Sequence, residues 1–141
     1  MKLTLIGGTL FVVFTTICAS QTVAIEVRDG WMYSADSGMV TGAFMTIESH
    51  STVPDTIVAV RTECAEHTEI HTTVRNSDGT MGMRPIAELI IPPKKAVVLK
   101  PRSLHVMLYH LRRSLRSGDR CIVYLTSKRH GDLRVELRVR R

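Results

Sequence analysis

Four side chains are spaced as a soft metal site: His71, Met83, His105 and Met107. His105 and Met107 sit two apart in Leu104-His105-Val106-Met107-Leu108, so an extended backbone sends an imidazole and a thioether to the same side. Thr80-Met81-Gly82-Met83-Arg84 does the same with two thioethers, which makes Met81 the spare ligand beside Met83. His71 precedes the turn signal Asn76-Ser77-Asp78-Gly79, and a hairpin closed there brings it towards Met81 or Met83. Thioether sulfur is soft and neutral and favours copper(I), while imidazole serves copper as well as zinc, iron and nickel. A neutral set of two histidines and two methionines grips a monovalent ion only weakly by charge, as a carrier that must release its cargo requires. Zinc and iron–sulfur sites call for cysteines or carboxylates that these pieces lack. Methionine does not titrate, so acid weakens such a site through its histidines. Taken singly, each piece has a plainer use: a methionine in a strand is ordinarily core filler, and only the joint spacing singles these out.

The elements that must position the four residues read as strands. Apolar or β-branched runs cover residues 25–31, 42–49, 56–60, 66–74, 81–86, 87–91, 96–99, 104–111, 121–127 and 133–139. Between them lie Ser37-Gly38, Pro54-Asp55, Asn76-Ser77-Asp78-Gly79, Pro92-Pro93, Pro101, Ser117-Gly118-Asp119 and Gly131-Asp132. Short strands with a turn every ten residues or so predict an antiparallel sandwich or barrel. One short helical segment, His110 to Leu115, is the exception. Cys64-x2-His67-x3-His71 would place three metal donors together only on a helix, and Thr68, Ile70, Thr72 and Thr73 favour a strand instead.

The chain carries 19 Lys and Arg against 13 Asp and Glu, a formal charge of +6. Much of the excess is C-terminal, where arginines alternate with apolar residues in Leu133-Arg134-Val135-Glu136-Leu137-Arg138-Val139. That is a half-buried strand with a wet basic face, suited to steering an acidic protein partner. Nucleic-acid binding would ask for exposed aromatics among the basic residues, and only 5% of the chain is aromatic. No nucleophile–base pair, no paired carboxylates and no HExxH motif occur, so the chain is not expected to be an enzyme.

His71, Met83 twelve residues on, His105 twenty-two further and then Met107 resemble the H-x11-M-x21-H-x-M pattern of the PCu(A)C family of periplasmic copper chaperones. The flanks are similar too: Met81-Gly82-Met83-Arg84-Pro85, Ile91-Pro92, Val98-Leu99-Lys100-Pro101, His105-Val106-Met107-Leu108 and Leu115-Arg116-Ser117-Gly118-Asp119. The resemblance runs from about Trp31 to the C-terminus. It implies a cupredoxin-like, antiparallel Greek-key β-sandwich that binds copper(I) near its surface through His71, Met83, His105 and Met107. It also implies delivery to a respiratory copper site, typically the binuclear centre of cytochrome oxidase. Three departures stand out. Thr72 follows the first histidine, where some members have Met. The tail is Arg-rich, with His110 and His130 but no Met, so a second copper site is not expected. Lys100-Pro101-Arg102-Ser103 replaces a Gly-rich lead-in. The rival reading is a secreted β-sandwich adaptor with a basic protein-binding face and no functional metal site.

Lys2, the uncharged apolar run Leu3 to Ala19 and the small residues after it form a secretory signal in residues 1–24, leaving 25–141 as the exported domain. Export to the periplasm, or otherwise outside the cytoplasm, follows, with no stable membrane span once the signal is cut. Cys64 and Cys121 remain as an even pair in an oxidising compartment, which permits a disulfide or two buried thiols. N-terminal sequencing of the exported protein is expected to read from Gln21 or Ile25. A chain that still begins at Met1 would mean a retained anchor.

Overall fold

The computed structural model describes residues 23–141, so most of the expected signal segment lies outside the described residues. The regular elements described are ten strands: β1 (Ile25–Tyr33), β2 (Thr41–Ser49), β3 (Asp55–Thr62), β4 (Ala65–Arg75), β5 (Met81–Ile86), β6 (Leu89–Ile91), β7 (Ala96–Leu99), β8 (His105–Leu111), β9 (Arg120–Ser127) and β10 (Gly131–Arg140). Each answers to one of the apolar runs in the sequence. The helical expectation for His110 to Leu115 is not met. His110, at φ 53°, and Leu111, opposite Ala65 on β4, instead belong to the end of β8, and Leu115 forms an isolated bridge with Ala35. Leu111 and Leu115 are both buried because each end of this segment dips into the sandwich core. Their spacing of four comes from that and not from one helical face.

The strands are hydrogen-bonded in the order β5-β4-β8-β2-β1-β10-β9-β3-β6, with β7 pairing β2 off this path. Every pair is antiparallel except β1 with β10, which is parallel and sets Trp31 opposite Arg138. The two ends of the path, β5 and β6, are joined in sequence by Ala87 and Glu88 alone. A flat path of nine strands would span roughly 38 Å at the usual strand spacing. The three peptide steps from Ile86 to Leu89 reach at most about 11 Å. The sheet must therefore curl until its ends meet, and the curl produces the sandwich. Inside lie Met32, Ile47, Ile57, Ile91, Val106, Leu108, Leu115, Val123, Leu125 and Leu137, each fully buried. Alternation along β9, where Cys121, Val123, Leu125 and Ser127 point in and their neighbours out, supplies one wall of this core.

Three local features hold the sandwich in register near its ends. Asp55, whose side chain is fully buried, accepts hydrogen bonds from Ser127 Oγ and from the backbone N–H of Thr56 and Arg129. It thereby ties β3 to the turn between β9 and β10. Pro85 lies on β5, at the end of the strand path, where a residue without an N–H need not cost a ladder bond. Cys64, just before β4, is joined to Cys121 at the start of β9 by a disulfide, with the Cα atoms 6.2 Å apart. Of the two arrangements the sequence permits for this pair, the bridge is the one formed. Cys64 is thereby also removed from any metal set with His67 and His71.

The bridge closes a sequence separation of 57 residues, for which chain-entropy reasoning gives about 4 kcal/mol of stabilisation. Replacing both Cys64 and Cys121 by Ala is expected to lower the unfolding free energy by about 2–4 kcal/mol. Urea denaturation followed by tryptophan fluorescence would measure it, and an unchanged midpoint would contradict the structural role.

Candidate metal centre

The site is built on the strand pair β4–β8 and the hairpin β4–β5. Register sets Ile70 opposite Val106 and His71 opposite His105. Ile70 and Val106 are buried in the core, so successive alternation sends His71 and His105 to the other side of the sheet. Their rings stand 5.8 Å apart, centre to centre. Met107 follows two residues after His105, opposite Glu69 on β4 and Gly42 on β2.

The turn after β4 closes as a hairpin. Gly79 takes φ 84°, the Asn76 N–H donates to the Thr80 carbonyl at 2.8 Å, and the Asp78 carboxylate accepts from both the hydroxyl and the N–H of Thr80. Those bonds from Thr80 hold the Asp78 carboxyl below the usual carboxylate range. The register of the hairpin is more specific than the sequence could say. Met83 lies opposite Thr73, Met81 opposite Arg75, and His71 opposite Pro85. Met83 is thus the diagonal neighbour of His71, within reach of a long thioether side chain, and Met81 is one pair further away.

A cleft of about 400 Å³ opens over this part of the sheet. Its lining includes Met83, His105 and Met107 together with Met81, Tyr33, Gly42, Phe44, Thr73 and Arg102. His71 does not line the cleft but sits behind it, across the ladder from His105. The histidines are almost wholly buried, at 7% and 5% exposure, whereas Met81 and Met83 are 64% and 56% exposed. The imidazoles are therefore held by the fold and the thioethers of β5 stand open to solvent.

Each histidine has one nitrogen engaged. His105 Nδ1 lies 2.8 Å from the Ser103 carbonyl, and a carbonyl only accepts, so Nδ1 carries the proton and Nε2 keeps the lone pair. The same carbonyl accepts from Thr73 Oγ1 at 3.2 Å. Pro101 and Arg102 occupy the centre of a turn in which the Ser103 N–H donates to the Lys100 carbonyl at 3.2 Å. Arg102 has φ 63° there, the position where glycine is usual in such turns. His71 Nε2 lies 2.7 Å from Glu69 Oε2, and a carboxylate likewise accepts, so His71 is protonated at Nε2. His71 Nδ1 is buried with no hydrogen-bond partner. An orphaned buried lone pair is costly unless something satisfies it, and a soft cation is one such group. Glu69 also accepts from His67 Nε2 at 3.0 Å. Hydrogen bonds from His67 and then His71 hold its carboxyl below the ordinary range. Burial, and the charge of Glu69, push the Tyr109 hydroxyl pKa up.

Several residues of this site are missing from a reading of the sequence. Glu69 and Tyr109 share strand faces with His71 and Met107, so alternation along His67-x-Glu69-x-His71 was the available signal. Phe44, whose ring centre is 6.4 Å from that of His105, and Tyr33, which packs on Phe44 at 5.5 Å, arrive through β1 and β2. Nothing local in the sequence links them to the histidines. Glu26, Glu48 and His50 form a separate group of possible donors, Glu26 exposed and the other two half-buried.

The family described as "Putative lipoprotein LpqE-like" matches residues 25–139. Among solved structures, the apo PCuAC domain from PmoF1 aligns with a TM-score of 0.71 at 22% identity, covering 84% of this chain and 94% of that one. The copper-bound PCuAC domain from PmoF2 aligns at 0.69 and 16% identity, over 83% of this chain and 92% of that one. CuI-DR1885 from Deinococcus radiodurans, a solution structure, aligns at 0.68 and 26% identity, over 87% and 83%. No curated protein matches the chain. These likenesses bear out the cupredoxin-like β-sandwich and the resemblance to the PCu(A)C family.

Proposed function

The chain belongs to the LpqE-like family, and from that premise we propose that it is an extracytoplasmic copper(I) chaperone, with copper as cargo and no catalysis. The observation that carries this reading is the pairing of His71 with His105. Two buried imidazoles face each other across one ladder, each with a nitrogen lone pair left over, and the nearer one, His105, lines a cleft together with Met83 and Met107. Two imidazoles and two thioethers are a neutral, soft donor set that suits copper(I). His71, Met83, His105 and Met107 are the proposed ligands, with Met81 available beside Met83. The copper bound by the PmoF2 domain and by DR1885 of Deinococcus radiodurans supports the same cargo, and the lipoprotein character of the family supports a place outside the cytoplasm.

Release follows from the same geometry. The histidines are fixed, while Met83 and Met81 project from a strand at the end of the sheet and are more than half exposed. An acceptor could displace the thioethers first without disturbing the core. The rim of the cleft also carries bare positive charge. Arg102 lines it, and Arg75 is paired with Met81 in the ladder. Among the described residues neither has a carboxylate within salt-bridge distance, whereas Arg28, Arg61, Arg116 and Arg120 do. Such a rim favours a transient acidic protein acceptor through faster encounter, and a respiratory copper site such as the binuclear centre of cytochrome oxidase is the proposed destination.

Native mass spectrometry of the exported protein with copper(I) under reducing conditions is expected to give a 1:1 complex. His105→Ala is expected to weaken it at least tenfold, and Met83→Leu less, since a neighbouring Met81 remains. No 1:1 complex, or full affinity in His105→Ala, would overturn the proposal.

A further inference from the structure

We propose that Glu69 is a positioning residue for copper binding: it fixes His71 in the tautomer whose Nδ1, not Nε2, is the free donor. The inference rests on the copper site proposed above. The Glu69 side chain is held at both oxygens, Oε1 by His67 Nε2 at 3.0 Å and Oε2 by His71 Nε2 at 2.7 Å. Strand alternation places the three residues in one row along β4. With the carboxylate ionised, the opposite His71 tautomer would set a nitrogen lone pair against an oxygen lone pair at that distance, which is repulsive. The proton therefore stays on Nε2, and Nδ1 is left as the buried, unpartnered atom. A carboxylate behind a metal-binding imidazole also raises the basicity of the nitrogen that binds.

The two histidines of the site differ in how they are held. His105 takes its orientation from a backbone carbonyl, that of Ser103, which no side-chain substitution removes. His71 takes its orientation from side chains, chiefly Glu69 at 2.7 Å, with the Tyr109 hydroxyl 3.3 Å from the same Nε2. His105 thus serves as an internal control for Glu69 within the same molecule. Glu69 lies opposite Met107 in the ladder yet does not line the cleft, so its effect on copper passes through His71.

Long-range proton–nitrogen NMR correlations of the copper-free protein, recorded where imidazole is neutral (about pH 8), would report both tautomers. Wild type is expected to show His71 protonated at Nε2 and His105 at Nδ1. In Glu69→Ala the His71 preference is expected to be lost while that of His105 stays. Copper(I) affinity, measured by competition with a chromogenic chelator, is expected to fall about 10–100-fold. Glu69→Gln, which keeps a neutral acceptor of the same size, is expected to retain the tautomer and lose less affinity, and it serves as the second variant if Glu69→Ala does not fold. An unchanged His71 tautomer in Glu69→Ala, unchanged affinity in both variants, or copper bound to His71 through Nε2 would each overturn the proposal. A wild-type protein that binds no copper(I) would instead overturn the chaperone reading, and the tautomer spectra would still separate that failure from a failure of Glu69 to hold His71.

Discussion

The register of β4 against β8 is the constraint on which the site depends. Ile70 and Val106 face each other on the core side, at 5% and 0% exposure. Burying two such side chains contributes about 1.5–3 kcal/mol each. A slip of one residue would turn both outwards and send His71 and His105 into the apolar core, since side chains on a strand alternate with a period of two. The apolar pair thus fixes which way the imidazoles point, although it touches nothing in the cleft. Every other feature of the site inherits this choice: Met107 two residues from His105, Glu69 two residues from His71, and Met83 on the diagonal across the hairpin.

Around that fixed pair the structure grades from rigid to open. The histidines are buried and each is hydrogen-bonded at one nitrogen. Phe44 and Tyr33 pack beside His105, and Trp31 extends the aromatic group, its ring 4.5 Å from that of Phe44. On the opposite side β5 ends the strand path, carrying two exposed methionines and a proline. On the proposed reading, one half of the donor set is preorganised and the other half is adaptable, because methionine is unbranched and has three rotatable bonds. A site organised in this way binds without rebuilding the core and lets go through its flexible side. The disulfide at the far ends of β4 and β9 and the buried Asp55 at the start of β3 hold the frame that makes the rigid half rigid.

Much of this was legible in the residues themselves. Period-two patterning and turn chemistry at Asn76 to Gly79, Ser117 to Asp119 and Gly131 marked ten strands, because burial of one face per strand writes itself directly into the chain. The pair His105 and Met107 needed only strand geometry. The spacing of all four candidate ligands carried the family resemblance. The segment His110 to Leu115 reads as helical in the sequence because two leucines four apart mimic a helical face, when a strand end and a bridge each bury one of them.

Other features were decided only by folding. That His71 meets His105, and meets Met83 on the diagonal and not head-on, depends on registers between strands that are distant in sequence. Registers are settled by core packing and turn closure together. Whether Cys64 reaches Cys121 depends on the curl that brings β4 and β9 to the same end of the sandwich. The gathering of Phe44, Tyr33 and Arg102 around the cleft has no local signature, since each comes from a different stretch of chain. The sequence by itself determined which atoms could hold a soft ion, because donor type and alternation are local properties. The tertiary structure alone decided which of their lone pairs are free, because the hydrogen bonds that the histidines donate to Glu69 and to the Ser103 carbonyl exist only once the strands and the loop before β8 are in place.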